Sequence, residues 1–380
     1  MLPVKEIQSE FMLDEKTLPY TVVEDLSYHN FLYQRIKKNY NGFNYGEVII
    51  DFNRIIPQYP SIYRCYNLKR ALNNNFKPKE QFIVEEKLDG YNIRIANISY
   101  KNKEGKIVAF TRGGFICPYT TELLENYTEI KKFLLENDDK VLCAEVIGEN
   151  PYNTLSIRMY GKKPEIFIFD IMNFKNFSCK SRKKIFLLTV SERQALFTKY
   201  NLKTAPEYGI FTTRDYYDLK AIIVKFNQDK KEGVVIKPLD RTKKYIKFAT
   251  PYADIEAITD HISKSFECDT AHFRKRLFLL ASYGVEFSYS EEEIFILLST
   301  KLGESLSNVL KANKKIETYE LTISEKNWYE LEKLLSRTLR ITVISKEKIE
   351  DNKLRIIFEK YYKKTSEFIK GANAGRLFID

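Results

Sequence analysis

Glycine is scarce in this chain: 14 in 380 residues, about half the usual ~7%. Collagen-like and glycine-rich linker architectures are excluded, and the position of each glycine becomes informative. The five cysteines, Cys65, Cys117, Cys143, Cys179 and Cys268, stand far apart without a CxxC pair, and the three histidines, His29, His261 and His272, do not fall at zinc spacing. A structural zinc is not expected. Nowhere is there an apolar run of about 18 residues. The N-terminal MLPVKEIQSEFMLDEKTLPY carries acids where a secretory signal needs a basic flank and an apolar run. The expectation is a cytoplasmic protein with reduced thiols and no membrane partner.

Negative charge is also in deficit, with 62 Lys and Arg against 51 Asp and Glu, a net +11. A chain this basic tends to meet polyanions, nucleic acid foremost; a solvated lysine-rich surface has the same excess. Hydrophobic residues at 44% and charged residues at 30% describe a soluble globular protein. Its length suits two to four folded units.

Residues 1–58 are polar and Tyr/Asn-rich and read as an N-terminal module. Over 59–250 short β-rich runs follow one another: FIVEEK, YNIRIANI, IVAFTR, KVLCAEVI, EIFIFDI, GVVIKP and KYIKFA. They predict a mainly antiparallel β domain with inserted helices. One insert is Thr121 to Glu136, where Leu123, Tyr127, Ile130 and Leu134 recur at helical spacing behind a Thr cap; the other is Ser181 to Tyr200. Residues 251–315 are helical, with Asp269 as one cap and a Ser290/Glu293 capping box opening another helix. The run Ile294 to Leu298 is apolar on every side, so it is either buried or pressed against a second subunit. Residues 316–380 mix strands with a helix from Ser324 to Arg337 whose Trp328, Leu331 and Leu335 share a face, a small α+β module.

The chemistry concentrates in FIVEEKLDGYNIRI, a strand ending in Lys87, an Asp89-Gly90 turn and a second strand. Alternation puts Glu85 and Lys87 on one face. A free lysine is neutral in only about 1 in 2,500 molecules at pH 7, so a nucleophilic one needs burial or neighbouring cations. KLDG alone is a β-turn beside a solvated lysine. Its company changes that reading: TRGG (Thr111 to Gly114), AEVIG (Ala144 to Gly148), FIFD (Phe167 to Asp170), EGVVIK (Glu232 to Lys237) and YIK (Tyr245 to Lys247) follow in order on strand-like segments. Together they supply what catalysis with ATP requires: cations for the triphosphate, carboxylates for a metal and an aromatic face for the base. Arg112 beside two glycines can reach phosphate or ribose. Glu145 and Glu232, beside small or apolar strand residues, should face a cleft. Lys237 and Lys247 are expected to converge on Lys87 and depress its pKa, and Phe169 can stack on adenine. Gly90, Gly113, Gly114, Gly148 and Gly233 all lie inside these segments.

These segments resemble the motifs of the covalent nucleotidyltransferase superfamily of DNA ligases, RNA ligases and mRNA capping enzymes. They are most similar to the archaeal ATP-dependent RNA ligase family in VEEKLDGYNIRI, TRGG and AEVIGENPYN. The resemblance covers about residues 59–250. It implies an α+β fold: an antiparallel-sheet, ATP-grasp-like adenylation core with an N-terminal module, a helical dimerisation region and a small α+β C-terminal module. It also implies that Lys87 forms a lysyl-AMP, that Glu85, Asp89, Gly90, Arg112, Glu145, Phe169, Lys237 and Lys247 hold the nucleotide, and that Glu232 and Glu145 serve Mg2+ or Mn2+. The partners implied are RNA with 5′-phosphate and 3′-OH ends, joined or circularised, and a second copy of the chain. One departure stands at the last motif, where the face of Lys247 carries Tyr245 and Lys243, so that Lys244 points away and receives no role. A DNA ligase or capping guanylyltransferase shares the lysine chemistry, but an OB-fold normally follows, whereas helices follow here. A noncatalytic RNA-binding protein on a ligase scaffold would be expected to have lost one of these residues.

Overall fold

The computed structural model describes residues 18–51, 54–98, 106–152, 155–174, 186–240, 244–264, 270–350 and 352–376. Lys243, Asp269, Cys179 and Cys268 lie outside the described residues, as does the start of the insert at Ser181. The strands are β1 (Val23–Tyr28), β2 (Phe31–Ile36), β3 (Val48–Asp51), β4 (Arg54–Ile56), β5 (Tyr63–Arg64), β6 (Phe82–Lys87), β7 (Tyr91–Ile98), β8 (Lys106–Thr111), β9 (Lys140–Ile147), β10 (Glu165–Asn173), β11 (Phe186–Leu187), β12 (Glu207–Phe211), β13 (Gly233–Pro238), β14 (Ile246–Ala249), β15 (Ile316–Ser324), β16 (Arg340–Glu350) and β17 (Lys353–Tyr361).

They form four sheets in a mixed α+β fold. The N-terminal sheet has the order β1-β2-β3-β4, and the C-terminal one β15-β17-β16. Between them lie two five-stranded sheets, β11-β10-β9-β7-β8 and β12-β6-β13-β14-β5. Pairing is antiparallel except where β14 runs parallel to β5. The strand, turn and strand around KLDG do not make a hairpin: β6 belongs to one central sheet and β7 to the other, so Leu88 to Gly90 cross between sheets.

Alternation along β6 sends Phe82 and Val84 into a core with Val234, Ile236, Phe248 and residues of the helices Leu68–Asn75, Tyr216–Gln228, Pro251–Lys264 and Thr270–Phe287. Ile83, Glu85 and Lys87 therefore face the opposite way. On the other central sheet, Ala96, Ile98, Val108, Phe110 and Val141 pack against the N-terminal sheet. Ile93, Ile95, Leu142 and Ala144 pack on Phe133, Leu134 and Phe197 of the inserted helices.

The first inserted helix differs from the expectation over Thr121 to Glu136. It is two α-helices, Pro118–Leu123 and Thr128–Glu136, separated by a 3-10 turn at Leu124–Asn126. Its cap is Cys117 rather than threonine, with Pro118 at the first helical position, where the missing N–H costs nothing. Tyr127 leaves helical geometry at φ −116° and ψ 79°, and its hydroxyl accepts the Ile166 N–H at 3.2 Å. The second inserted helix is Val190–Tyr200, closed by a reciprocal box between Thr189 and Glu192. Helix Glu291–Ala312 starts at Ser290, whose hydroxyl accepts the Glu293 N–H at 3.4 Å. Ile294 and Leu298 point into the core, whereas Phe295, Ile296 and Leu297 are exposed. Among the described residues no helix is long and apolar enough to cross a membrane.

Candidate active site

The cleft-facing residues of β6 meet partners across the sheet. Glu85 lies opposite Val235, which lies opposite Lys247, and Lys87 lies opposite Gly233. Beyond Lys87 the chain crosses to β7 in close contact with β9: a Cβ on Gly90 would stand 2.1 Å from the Val146 carbonyl oxygen. Only glycine can make that approach. It brings the turn beside Glu145, the neighbour of Val146 on β9.

Glu85, Lys87, Gly90, Arg112, Glu145, Phe169, Lys237 and Lys247 all line one cavity of about 1100 Å³. Asp89 and Glu232 line a smaller cavity of about 160 Å³, and Glu232 reaches Lys87 from there. Its Oε1 is 2.5 Å from the Lys87 Nζ. Burial pushes the Lys87 ammonium down, but the charges of Glu232, Glu145 and Asp89 outweigh it and raise the pKa. This corrects the expectation that Lys237 and Lys247 depress it. Lys237 is bound elsewhere, and carboxylates dominate around Nζ.

Glu145 is pushed up to about 8, first by burial and then by the negative charges of Glu232 and Asp89, with Lys87 and Asn92 opposing. Lys247 is pulled down to about 8 by burial, reinforced by Lys87, Arg64 and Arg112. Among the described residues no three ligating side chains converge closely enough to hold a metal alone. Glu145 and Glu232 are carboxylates of the hard oxygen-donor type that Mg2+ or Mn2+ prefers.

Behind the cavity is a buried ionic lattice. Glu85 Oε2 is 2.7 Å from Lys237 Nζ, and Oε1 accepts from Arg193. Lys237 also approaches Asp170 at 3.4 Å. Burial opposes ionisation of Glu85, but Lys237 and Arg193 overcome it and lower its pKa. Both cations also donate to the Phe169 carbonyl, Lys237 at 2.6 Å and Arg193 at 2.5 Å. The Phe169 ring packs edge-on against Tyr59 at 5.1 Å, whose hydroxyl donates to Asp170 at 3.0 Å.

Sequence reasoning missed Arg193, Asp170 and Tyr59 as members of the site. The available signal was an arginine on the apolar stripe of its helix, since Val190, Arg193, Phe197 and Tyr200 are the buried positions. It also missed Arg94, which is fully buried and donates to the carbonyls of Gly46 and Pro57, both at 2.7 Å, and of Thr111 at 3.0 Å. Arg94 thereby pins the turn that carries Arg112 to the N-terminal sheet. Lys244 sits 4.4 Å from the centre of the exposed Tyr63 ring and does not line the cavity.

Comparison with known proteins agrees with this architecture. Residues 80–249 match the RNA ligase family model. An uncharacterised protein of Methanocaldococcus jannaschii is 28% identical over 349 residues, spanning 88% of this chain and 85% of that protein. A solved structure from Aquifex aeolicus, provisionally named as an ATP-dependent DNA ligase, is 28% identical with a TM-score of 0.85, covering 96% of this chain and 99% of that one. An archaeal ATP-dependent RNA ligase shares the fold, with a TM-score of 0.82 at 23% identity and full coverage of both chains.

Proposed function

We propose, from the match of residues 80–249 to the RNA ligase family model, that the chain is an ATP-dependent RNA ligase acting through a covalent AMP on Lys87. The observation that carries this reading is that Lys87 lines a cavity also lined by Glu145, Phe169, Arg112 and Lys247. Lys87 attacks the α-phosphorus of ATP: an N–P bond forms and the bond to pyrophosphate breaks. The attacking amine must be neutral, and Glu232, 2.5 Å away, is placed to take its proton. Arg112 and Lys247 offset the phosphate charge, and Phe169 gives the base an aromatic face. Glu145 and Glu232 would hold a divalent cation, Mg2+ or Mn2+, which would supply Lewis-acid stabilisation of the phosphates. An RNA 5′-phosphate oxygen then displaces Lys87 from the AMP phosphorus, and a 3′-OH displaces AMP from the activated RNA. Single-stranded RNA, joined or circularised in the cytoplasm, is the substrate this reading implies.

Helices rather than a strand-rich OB-fold follow residue 250, which sets the chain apart from capping enzymes and typical DNA ligases. ATP labelled on its α-phosphate should leave label on the wild-type protein and none on Lys87→Ala. GTP or NAD should not replace ATP, and 5′-phosphorylated single-stranded RNA should be sealed in preference to a nicked duplex. Label persisting on Lys87→Ala would defeat the assignment.

A further inference from the structure

Three arginines from three parts of the chain line one cavity, and the guanidiniums of two of them meet at one aromatic ring. Arg35 comes from β2, Arg112 from the turn after β8, and Arg337 from the turn after the C-terminal helix Glu325–Leu335, and all three line the same space as Lys87. The Arg35 guanidinium lies 4.0 Å from the centre of the Phe115 ring and that of Arg337 5.1 Å from the same centre. Arg35 Nη1 also donates to the Gly113 carbonyl at 3.1 Å, which places it against the Arg112 turn.

The charges of Arg35 and Arg337 are held together by one carboxylate. Glu24 accepts from Arg35 Nε through Oε2 at 2.6 Å and from Arg337 Nη2 through Oε1. An oxyanion shared between guanidinium forks is how phosphate groups are bound. The two arginines exceed the single carboxylate by one positive charge, and Arg112 adds another. Arg112 is exposed and, among the described residues, has no carboxylate partner. Basic charge continues inward, because Arg112 is near enough to help depress the Lys247 pKa. Tyr45 lines the same cavity and is exposed, which gives an unstacked base an aromatic face beside the cations, the combination that single strands require.

Resting on the ligase reading above, we propose that Arg35, Arg112 and Arg337 form a site for a backbone phosphate of the single-stranded RNA presented to Lys87, with Glu24 holding the phosphate's place until the strand enters. The N-terminal sheet and the C-terminal module thus each contribute to substrate binding. Glu24 keeps the two guanidiniums aligned in the empty protein and yields them to a more highly charged group.

The test measures binding of a 5′-phosphorylated single-stranded RNA by fluorescence anisotropy across a salt series, with AMP transfer to the protein measured on the same samples. Arg337→Ala should weaken RNA binding roughly three- to tenfold and lower the slope of log affinity against log salt by about 0.7. Its AMP transfer should stay within about twofold of wild type. Glu24→Gln should tighten RNA binding, because it removes the competing charge and leaves the guanidiniums in place. If the contact were only a strut between modules, both substitutions would weaken binding alike, which would overturn the proposal. Unchanged affinity and salt slope in both variants would overturn it too, as would Arg337→Ala losing AMP transfer in step with RNA binding. RNA binding with the expected pattern in a protein that takes up no AMP would support the site while counting against the ligase reading.

Discussion

Arg193 is held with its side chain 1% exposed against Glu85, a carboxylate 108 positions earlier in the chain. Removing one member of a buried ion pair strands the other, at a cost of about 3–5 kcal/mol. Lys237 remains beside Glu85 at 2.7 Å, so Arg193→Met should lower the chemical-denaturation stability by less than that full amount and abolish AMP transfer at temperatures where the variant stays folded. A stable variant with normal transfer would show that the lattice behind Phe169 is dispensable. The same residue marks the limit of what could be read in advance. The shared placement of Lys87, Glu85 and Gly90 on one cavity was legible because it is local, a strand and a turn within a few positions. Arg193, Tyr59 and Arg94 were not, because each acquires its role from a partner brought close only by the fold. The direction of the Lys87 shift was misread for the same reason: sequence names the cations but not their distances, and Lys237 is consumed by Glu85.

The strand segments were legible as elements, since alternation and turn residues are short-range signals. Their distribution between two sheets was not. Nothing in KLDG says that β6 and β7 part company, and the crossing depends on the close approach of Gly90 to Val146. Gly90→Ala would set a Cβ 2.1 Å from a backbone carbonyl, which only a shift of the turn relieves. The expected result is loss of AMP transfer by at least about tenfold, more than 1.4 kcal/mol in the barrier, with β-sheet circular dichroism retained. Full activity in that variant would mean that the turn does not need this geometry. The break at Tyr127 escaped the helical pattern because Leu123 and Ile130 keep their apolar faces across it, and helix Tyr216–Gln228, with no side-chain cap at Asp215, is set by packing Leu219, Ile223 and Phe226 into the core behind β6 and β13.

At the scale of the molecule, the helical region presents Phe278, Val285, Ile296 and Leu297 to solvent at 63%, 75%, 63% and 43% exposure, on helices whose other faces fill the core. Exposed apolar patches of this kind mark association surfaces. Light scattering at micromolar concentration should give twice the 44.9 kDa of the chain, and Ile296→Glu should halve it; a monomeric wild type would contradict a dimer. Ligase activity of this kind depends on a single covalent bond. After incubation with ATP and a divalent cation, proteolysis and mass spectrometry should find AMP on the peptide that contains Lys87, attached through its side-chain nitrogen and discharged by 5′-phosphorylated RNA. AMP on another residue, or no adduct under conditions where the protein is folded and binds ATP, would contradict it.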